Sequence, residues 1–406
     1  MRSFGFRTAE TVGIRNAGFM KKIAALLMCI VLLIGLVACS NSNPDTDEPL
    51  NYRLNAFDSE LISYLCLNGY DDSDFMVSPT ALRVALCLAA SSAQSNTRAE
   101  LVKAAGFSDM DSLNKWYTRM ENAKPSFSVA NSVWSNTDLM GAFTDIYTSR
   151  VKETYDADAY SYNSDEMAQA INDWIGQKTN GMIPTVADDA VGASTVFINT
   201  LYLKTAWENA FSKSSTYEGT FVGFNGQEQT MRFMEQTGEY LYCDTDGTKV
   251  LVIPMKGNLS FVCFLGNRTD KFDKMTELQM EKVHVVLPKF DLESTIHSND
   301  LLGFLLSHGV KDAINENNAN FYDMCSDTNW FIQEIIQKTR ITTDEKGIGS
   351  APKNKKAKAG EAKEDVEANE FIADRSFSFA VFSDFGTGNQ HMLFYGQMMN
   401  GNETAE

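Results

Sequence analysis

Asn199-Thr200-Leu201-Tyr202-Leu203-Lys204-Thr205-Ala206-Trp207, with Phe211 four residues on, is the stretch on which the reading of this chain turns. Its first half lies within Thr195 to Leu203, a β-branched and apolar run that predicts a strand. Trp207 taken by itself reads as a buried aromatic. Upstream the period is helical. Ser78-Pro79 opens a helix, with the serine as cap, the proline in the first turn, and Leu82, Ala85, Leu86 and Ala89 on one deeply buried stripe. Thr97 and Glu100 have the spacing of a capping box ahead of Leu101, with a stop at Gly106. Ser164 starts a third helix, with Asp165 and Glu166 at the positive end of its dipole and Ile171, Trp174 and Ile175 on one face. Downstream the period shortens. Val283 to Glu293 ends in strict alternation, and Ser376 to Val381 with Met392 to Tyr395 read as closing strands. Helices first and long strands later favour an α+β fold over a βαβ repeat.

The 406 residues, 44% hydrophobic and 22% charged, are enough for one large core or two medium ones. A formal charge of -18 argues against nucleic acid or an anionic membrane surface as the main partner. The stretch from Met20 to Cys39 has a basic start at Lys21 and Lys22, an apolar run from Ile23 to Leu33, and small residues at Gly35 and Ala38. That is the pattern of an export signal. Its end, Leu36-Val37-Ala38-Cys39, resembles a bacterial lipobox, in which the Cys39 thiol is diacylated and becomes the first mature residue. Residues 1–39 are therefore expected to be a signal peptide and 40–50 a polar tether carrying Pro44. Residues 51–400 then form one domain and 401–406 a tail. An extracytoplasmic, membrane-anchored location follows, at the cell surface or outside the cell, and a monomer is expected. Five cysteines remain unlipidated (Cys66, Cys87, Cys243, Cys263 and Cys325), so at least one stays free or pairs between chains.

Catalytic templates are missing. No G-x-S-x-G elbow, H-E-x-x-H, Walker loop or dinucleotide glycine pattern occurs. His284, His297, His308 and His391 are not spaced as metal ligands on one helix and read as structural. Asp71, Asp72 and Asp74 lack the central glycine of a calcium loop and read as a solvated turn. No cofactor or metal is expected and no enzymatic activity, although a Ser or Cys nucleophile assembled only in three dimensions stays open. One compositional break stands out at 347–370, where Lys353, Lys355, Lys356 and Lys358 precede Glu361, Glu364, Asp365, Glu367 and Glu370. A loop this long inside a compact domain is functional or disordered.

The opening stretch resembles the serpin signature N-x-[IL]-[YF]-F-K-x-x-W-x-x-x-F, and further motifs follow in serpin order. Phe75 to Pro79 is similar to F-x-x-S-P, Asn96-Thr97 with Glu100-Leu101 to N-T-x-x-E-L, and Ile171 to Gly181 to I-N-x-W-[IV]-x-x-K-T-N-G. Pro254 to Gly257 is similar to P-Y-K-G, Leu287 to Phe290 to L-P-K-F, Phe371 to Phe377 to F-x-A-D-[HR]-P-F, and Phe394 to Gln397 to F-x-G-R. These matches run from about residue 52 to 399, essentially the whole mature chain.

The resemblance implies three β-sheets with about nine helices and an exposed reactive loop between Gly347 and Phe371. It also implies a mechanism. A serine or cysteine endopeptidase attacks the loop as substrate, forms an acyl-enzyme, and is trapped as the loop inserts into the central sheet. Glu345, Gly347, Ile348, Ser350 and Pro352 fall on the hinge, Asn199 and Trp207 where the sheet opens, and Ser78 and Gln337 on the shutter. Gln337 replaces the family's histidine and Gln397 its arginine near the C-terminus. Counting along the loop from either side brackets the scissile bond between Glu361 and Asp365. Lys363, followed by Glu364, favours a trypsin-like or lysine-directed target, with a glutamate-directed enzyme cutting after Glu361 as the rival. The hinge departs from the family. On insertion Ile348, Ser350, Pro352, Asn354, Lys356 and Lys358 share one face, so a non-inhibitory binding protein or protease substrate is the alternative.

Overall fold

The computed structural model of the chain describes residues 54–122, 128–179, 181, 183, 195–266, 271–325, 330–349 and 368–401. Cys39, the 40–50 tether, Ser350, Pro352 and the Glu361 to Asp365 window with Lys363 and Glu364 lie outside the described residues. The described part is α+β, with eight α-helices among its residues.

Its strands join into two hydrogen-bonded sets. The larger runs β1 (Phe75–Val77), β16 (His391–Met398), β15 (Phe377–Ser383), β9 (Leu259–Gly266), β8 (Thr248–Met255), β7 (Glu228–Thr245), β10 (Gln279–Pro288), β14 (Asn369–Ile372), with β6 (Thr216–Val222) also on β7. The smaller runs β3 (Asp158–Tyr162), β2 (Ser128–Asn136), β4 (Thr195–Tyr202), β12 (Glu334–Asp344), β13 (Gly347–Ile348), β5 (Thr205–Ala206), with β11 (Asp291–Ile296) also on β12. The resemblance implies three sheets, and the described strands connect into two, because the 18-residue β7 joins three neighbours in one continuous sheet. Its start pairs with β6, its middle with β10 and its end with β8.

The first predicted helix is α2 (Pro79–Ser92), after α1 (Ala56–Leu65). The Ser78 Oγ accepts the Ala81 N–H at 3.0 Å and Pro79 takes the first turn, so the start is as local chemistry dictates. The stripe reading undersells the burial: every residue of α2 is buried. Even Arg83 is inside, where it pairs with Asp58 at 3.0 Å and lies over the rings of Phe57 and Trp116.

Two local expectations are corrected. The helix α3 (Ser95–Ala104) begins before Thr97, so Thr97 and Glu100 form no capping box. Thr97 accepts instead from the Asn320 N–H, and Glu100 from the N–H groups of Lys311 and Ala313, pinning a distant loop. Asp71 and Asp72 are exposed as a solvated turn requires, but Asp74 is not idle. Its carboxylate accepts the N–H groups of Met399 and Asn400 and fastens the end of β16. The remaining helices are α4 (Met110–Asn122), α5 (Thr137–Met140), α6 (Asp145–Tyr155), α7 (Ser164–Lys178) and α8 (Ser298–Ser307). The start of α7 falls at Ser164, and its Ile171, Trp174 and Ile175 pack with Trp134, Val196, Ile198 and Ile336 of the smaller strand set.

Candidate functional site

The site is built where β12 ends. The Asp344 carboxylate accepts the N–H groups of Lys346 at 2.8 Å and Gly347 at 3.2 Å, an Asx turn that reverses the chain. Gly347 and Ile348 therefore run back antiparallel along β12, pairing with Asp344 and Thr343. Their other edge pairs with Ala206 and Thr205 of β5. The Gly349 N–H continues the pairing to the Thr342 carbonyl at 2.9 Å. Close approach makes glycine necessary here. A Cβ on Gly347 would lie 2.0 Å from the Thr205 carbonyl oxygen, and one on Gly349, at φ +80°, 2.4 Å from that of Leu203. Ile348 between them is buried in the main core.

Side chains bolt this turn in place. Glu345 is buried, with Lys289 Nζ at 2.9 and 3.0 Å from its two oxygens and the Thr216 hydroxyl donating to it at 2.9 Å. Burial alone would raise the Glu345 carboxyl. The hydrogen bonds from Lys289, a backbone N–H and Thr216, with the Lys289 charge, outweigh it and hold the group below its usual range. Trp207, 1% exposed, donates its indole N–H to the Asp344 carbonyl at 2.8 Å and its backbone N–H to the Lys346 carbonyl at 2.9 Å. Its ring meets Phe261 and Phe211 edge to face at 5.5 and 6.0 Å. The Phe211 N–H reaches the Glu345 carbonyl at 2.8 Å, so both aromatic residues at the end of the opening stretch hold the same turn.

Lower in the same sheet, β4 and β12 are parallel from Val196↔Glu334 to Asn199↔Gln337. The Gln337 amide spans the Ser78 backbone: its oxygen accepts the Ser78 N–H at 2.6 Å and its nitrogen donates to the Ser78 carbonyl at 2.9 Å. An amide thereby fills the place expected for histidine, and it ties the cap of α2 to the sheet. Gln397 likewise replaces arginine by donating to the carbonyls of Tyr70, Asp71 and Ser73.

Glu345, Gly347, Ile348 and Trp207 thus come together at one end of the strand lane, and Ser78, Gln337 and the Asn199 backbone in its middle. Lys289, Thr216 and Asp344 complete the site without having been singled out from the sequence. Lys289 did carry a signal, as the cation that closes the apolar run Val285 to Pro288 and falls within the L-P-K-F match. Beyond the loop, β14 lies parallel to β10, and the Glu370 carbonyl accepts from Lys249 Nζ at 2.9 Å and the Tyr242 hydroxyl at 3.3 Å.

The chemistry available is mechanical. Among the described residues no group of three or more His, Cys, Asp or Glu could hold a metal ion. Burial pushes the Cys243 thiol up to about 11 and raises Cys87 and Cys263 as well, which makes them poor nucleophiles. Burial beside Arg83 brings His391 down to about 4, so it is neutral at pH 7.

A family model described as Serpin (serine protease inhibitor) matches residues 53–401. An uncharacterised serpin-like protein of Thermococcus kodakarensis is 26% identical over 382 residues, covering 87% of this chain and 86% of its own. The leukocyte elastase inhibitor of Xenopus laevis is 25% identical over 355 residues, 79% of this chain and 91% of its own. The solved structure of human thyroxine-binding globulin with thyroxine has a TM-score of 0.73 at 20% identity, covering 86% of this chain and 97% of that one.

Proposed function

Because the chain belongs to the serpin family, we propose that it inhibits serine or cysteine endopeptidases by inserting its reactive loop into the lane between β4 and β12. The observation that carries this reading is β13. Gly347 and Ile348 already form a strand between β12 and β5, at the end of the lane that a longer insertion would fill. Each further inserted residue adds ladder hydrogen bonds worth about 1 kcal/mol apiece. A proteinase held as acyl-enzyme on the loop would be carried along before water completes hydrolysis, and the inhibitor needs no catalytic group of its own.

A second reading is favoured by the phase of the same strand. Ile348 faces the core, so on insertion strand alternation would turn Ser350, Pro352, Asn354, Lys356 and Lys358 to the same side. Proline removes a ladder donor, and a buried unpaired lysine costs several kcal/mol. These residues favour a chain that is cut as a substrate more often than it traps. We take the bond between Lys363 and Glu364 as the one attacked, by a trypsin-like or lysine-directed enzyme. Incubation with a proteinase panel, read on a denaturing gel with mass spectrometry of the released fragment, decides. Covalent complex whose yield rises when Pro352, Lys356 and Lys358 become alanine supports inhibition limited by insertion. Cleavage confined to Lys353 through Lys358, with no complex from either form, rejects both inhibition and Lys363.

We also propose attachment to a membrane through lipid on Cys39, on the strength of Leu36-Val37-Ala38-Cys39. Two buried acyl chains, at about 0.8 kcal/mol per methylene, anchor stably. The Cys39→Ala chain should leave the membrane fraction, and its retention there would end the idea.

A further inference from the structure

Away from the hinge, a cleft of about 560 Å³ opens between α7 and the β2–β3 edge, a size suited to a small ligand. Its floor is aromatic. Trp134 of β2 pairs in register with Tyr160 of β3, and Tyr162 lies two residues on, so strand alternation turns both tyrosines to the same face. The Trp134 ring lies 4.6 Å from Tyr160, 5.9 Å from Tyr162 and 6.2 Å from Trp174, which comes down from α7. The two tryptophans are buried, whereas the tyrosines are half-buried and leave ring surface on the cleft. The rim is acidic. Helical spacing sets Asp165 and Asp173 on one row of α7, eight residues apart, with Glu166 beside them, and all three line the opening. Among the described residues no Lys, Arg or His lines it. The rings already attract one cation: Lys178 Nζ sits 5.6 Å over Trp174 from outside the cleft, while paired with Asp158 at 3.0 Å.

We propose that this cleft binds a small organic cation, an alkylated ammonium or guanidinium compound. Such ions are weakly hydrated and lose little on leaving water for aromatic faces, and the ring quadrupoles and the carboxylate rim both favour positive charge. A bare metal ion fits poorly, since the rim carboxylates are not gathered into a group that could hold one. The cleft shares no lining residue with the hinge, although the α7 that walls it also packs on Val196, Ile198 and Ile336 of β4 and β12.

The test is calorimetric titration of the full chain with benzyltrimethylammonium, and with benzoate as its counterpart of opposite charge. One saturable site for the cation is expected, with no binding of benzoate. Asp173→Asn should weaken binding about fivefold and Tyr162→Leu about tenfold. Asp173 is exposed, so its variant should melt as the wild type does and decides the matter even if Tyr162→Leu is less stable. No saturation by about 10 mM cation, equal binding of benzoate, or undiminished binding by Asp173→Asn overturns the proposal.

Discussion

The two ends of the proposed reactive loop are held by different physics. Its N-terminal end, Asp344 to Gly349, is seated by a buried ion pair, an Asx turn, an indole donor and glycines pressed against β5. Its C-terminal end, Asn369–Ile372, is a four-residue strand in the other sheet whose first two residues are exposed. The first anchorage is a dense set of directional contacts at the mouth of the lane, and removing Lys289 leaves the buried Glu345 carboxylate unpaired by a cation. The second is a ladder, in which the exposed Asn369 and Glu370 can be exchanged so long as the backbone pairs, with Phe371 alone buried in the core. A loop that must move on one side and stay attached on the other would be expected to store its stability unevenly. The hinge side should therefore respond sharply to single substitutions, and the far side weakly.

The sharpest response should come from Trp207→Ala, which empties a buried ring and strands the Asp344 carbonyl, at a cost of about 3–5 kcal/mol. Thermal melting measures it, and an unchanged curve would remove Trp207 from the anchorage. Lys289→Met should follow at about 3 kcal/mol, because it leaves the buried Glu345 carboxylate without its cation. That pair also has a pH signature. The Glu345 carboxyl lies below its ordinary 4.5 when folded, so its contribution is complete above that value and disappears as pH falls through the lower folded one. Melting temperatures taken from pH 6 to 3 should fall more steeply for the wild type than for Lys289→Met. Parallel curves would show that the ion pair adds nothing to the hinge.

The contrast also explains what could be read from the sequence. Ser78 as a cap and the buried face of α7 were legible because each depends on neighbours within a few residues, whereas the single run Val283 to Glu293 is divided between β10 and β11. The hinge contacts were not legible, since Lys289 lies 56 residues from Glu345 and Gln337 259 residues from Ser78. Thr97 and Glu100 show the failure most plainly. Their spacing satisfies a local motif, but the donors they accept from are more than 200 residues away, and a tertiary partner displaced the local one. The family resemblance supplied the positions of Trp207, Asn199 and Gln337, yet it could not say that a glutamine amide would bridge the Ser78 backbone. The fold was thus legible through its periodicities and motifs, and the site only as positions without partners.

The smallest effect should belong to the far end. Tyr242→Phe removes one hydroxyl from the Glu370 carbonyl, at a distance of 3.3 Å, while Lys249 Nζ continues to donate to the same oxygen at 2.9 Å. The carbonyl therefore stays satisfied, and the loss is the net value of one neutral hydrogen bond, about 0.5–1 kcal/mol. The phenylalanine ring fills the same buried volume, so no cavity is added. Melting should shift by only a few degrees, and the parallel pairing of β14 with β10 from Val283↔Asn369 to Val286↔Ile372 should keep its amide protons slow to exchange. Hydrogen exchange at Glu370 to Ile372, compared with exchange at Gly347 to Gly349 in Trp207→Ala, places the two ends on one scale. If Tyr242→Phe loosens β14 as much as Trp207→Ala loosens β13, the two anchorages are equivalent and the asymmetry drawn between them is wrong.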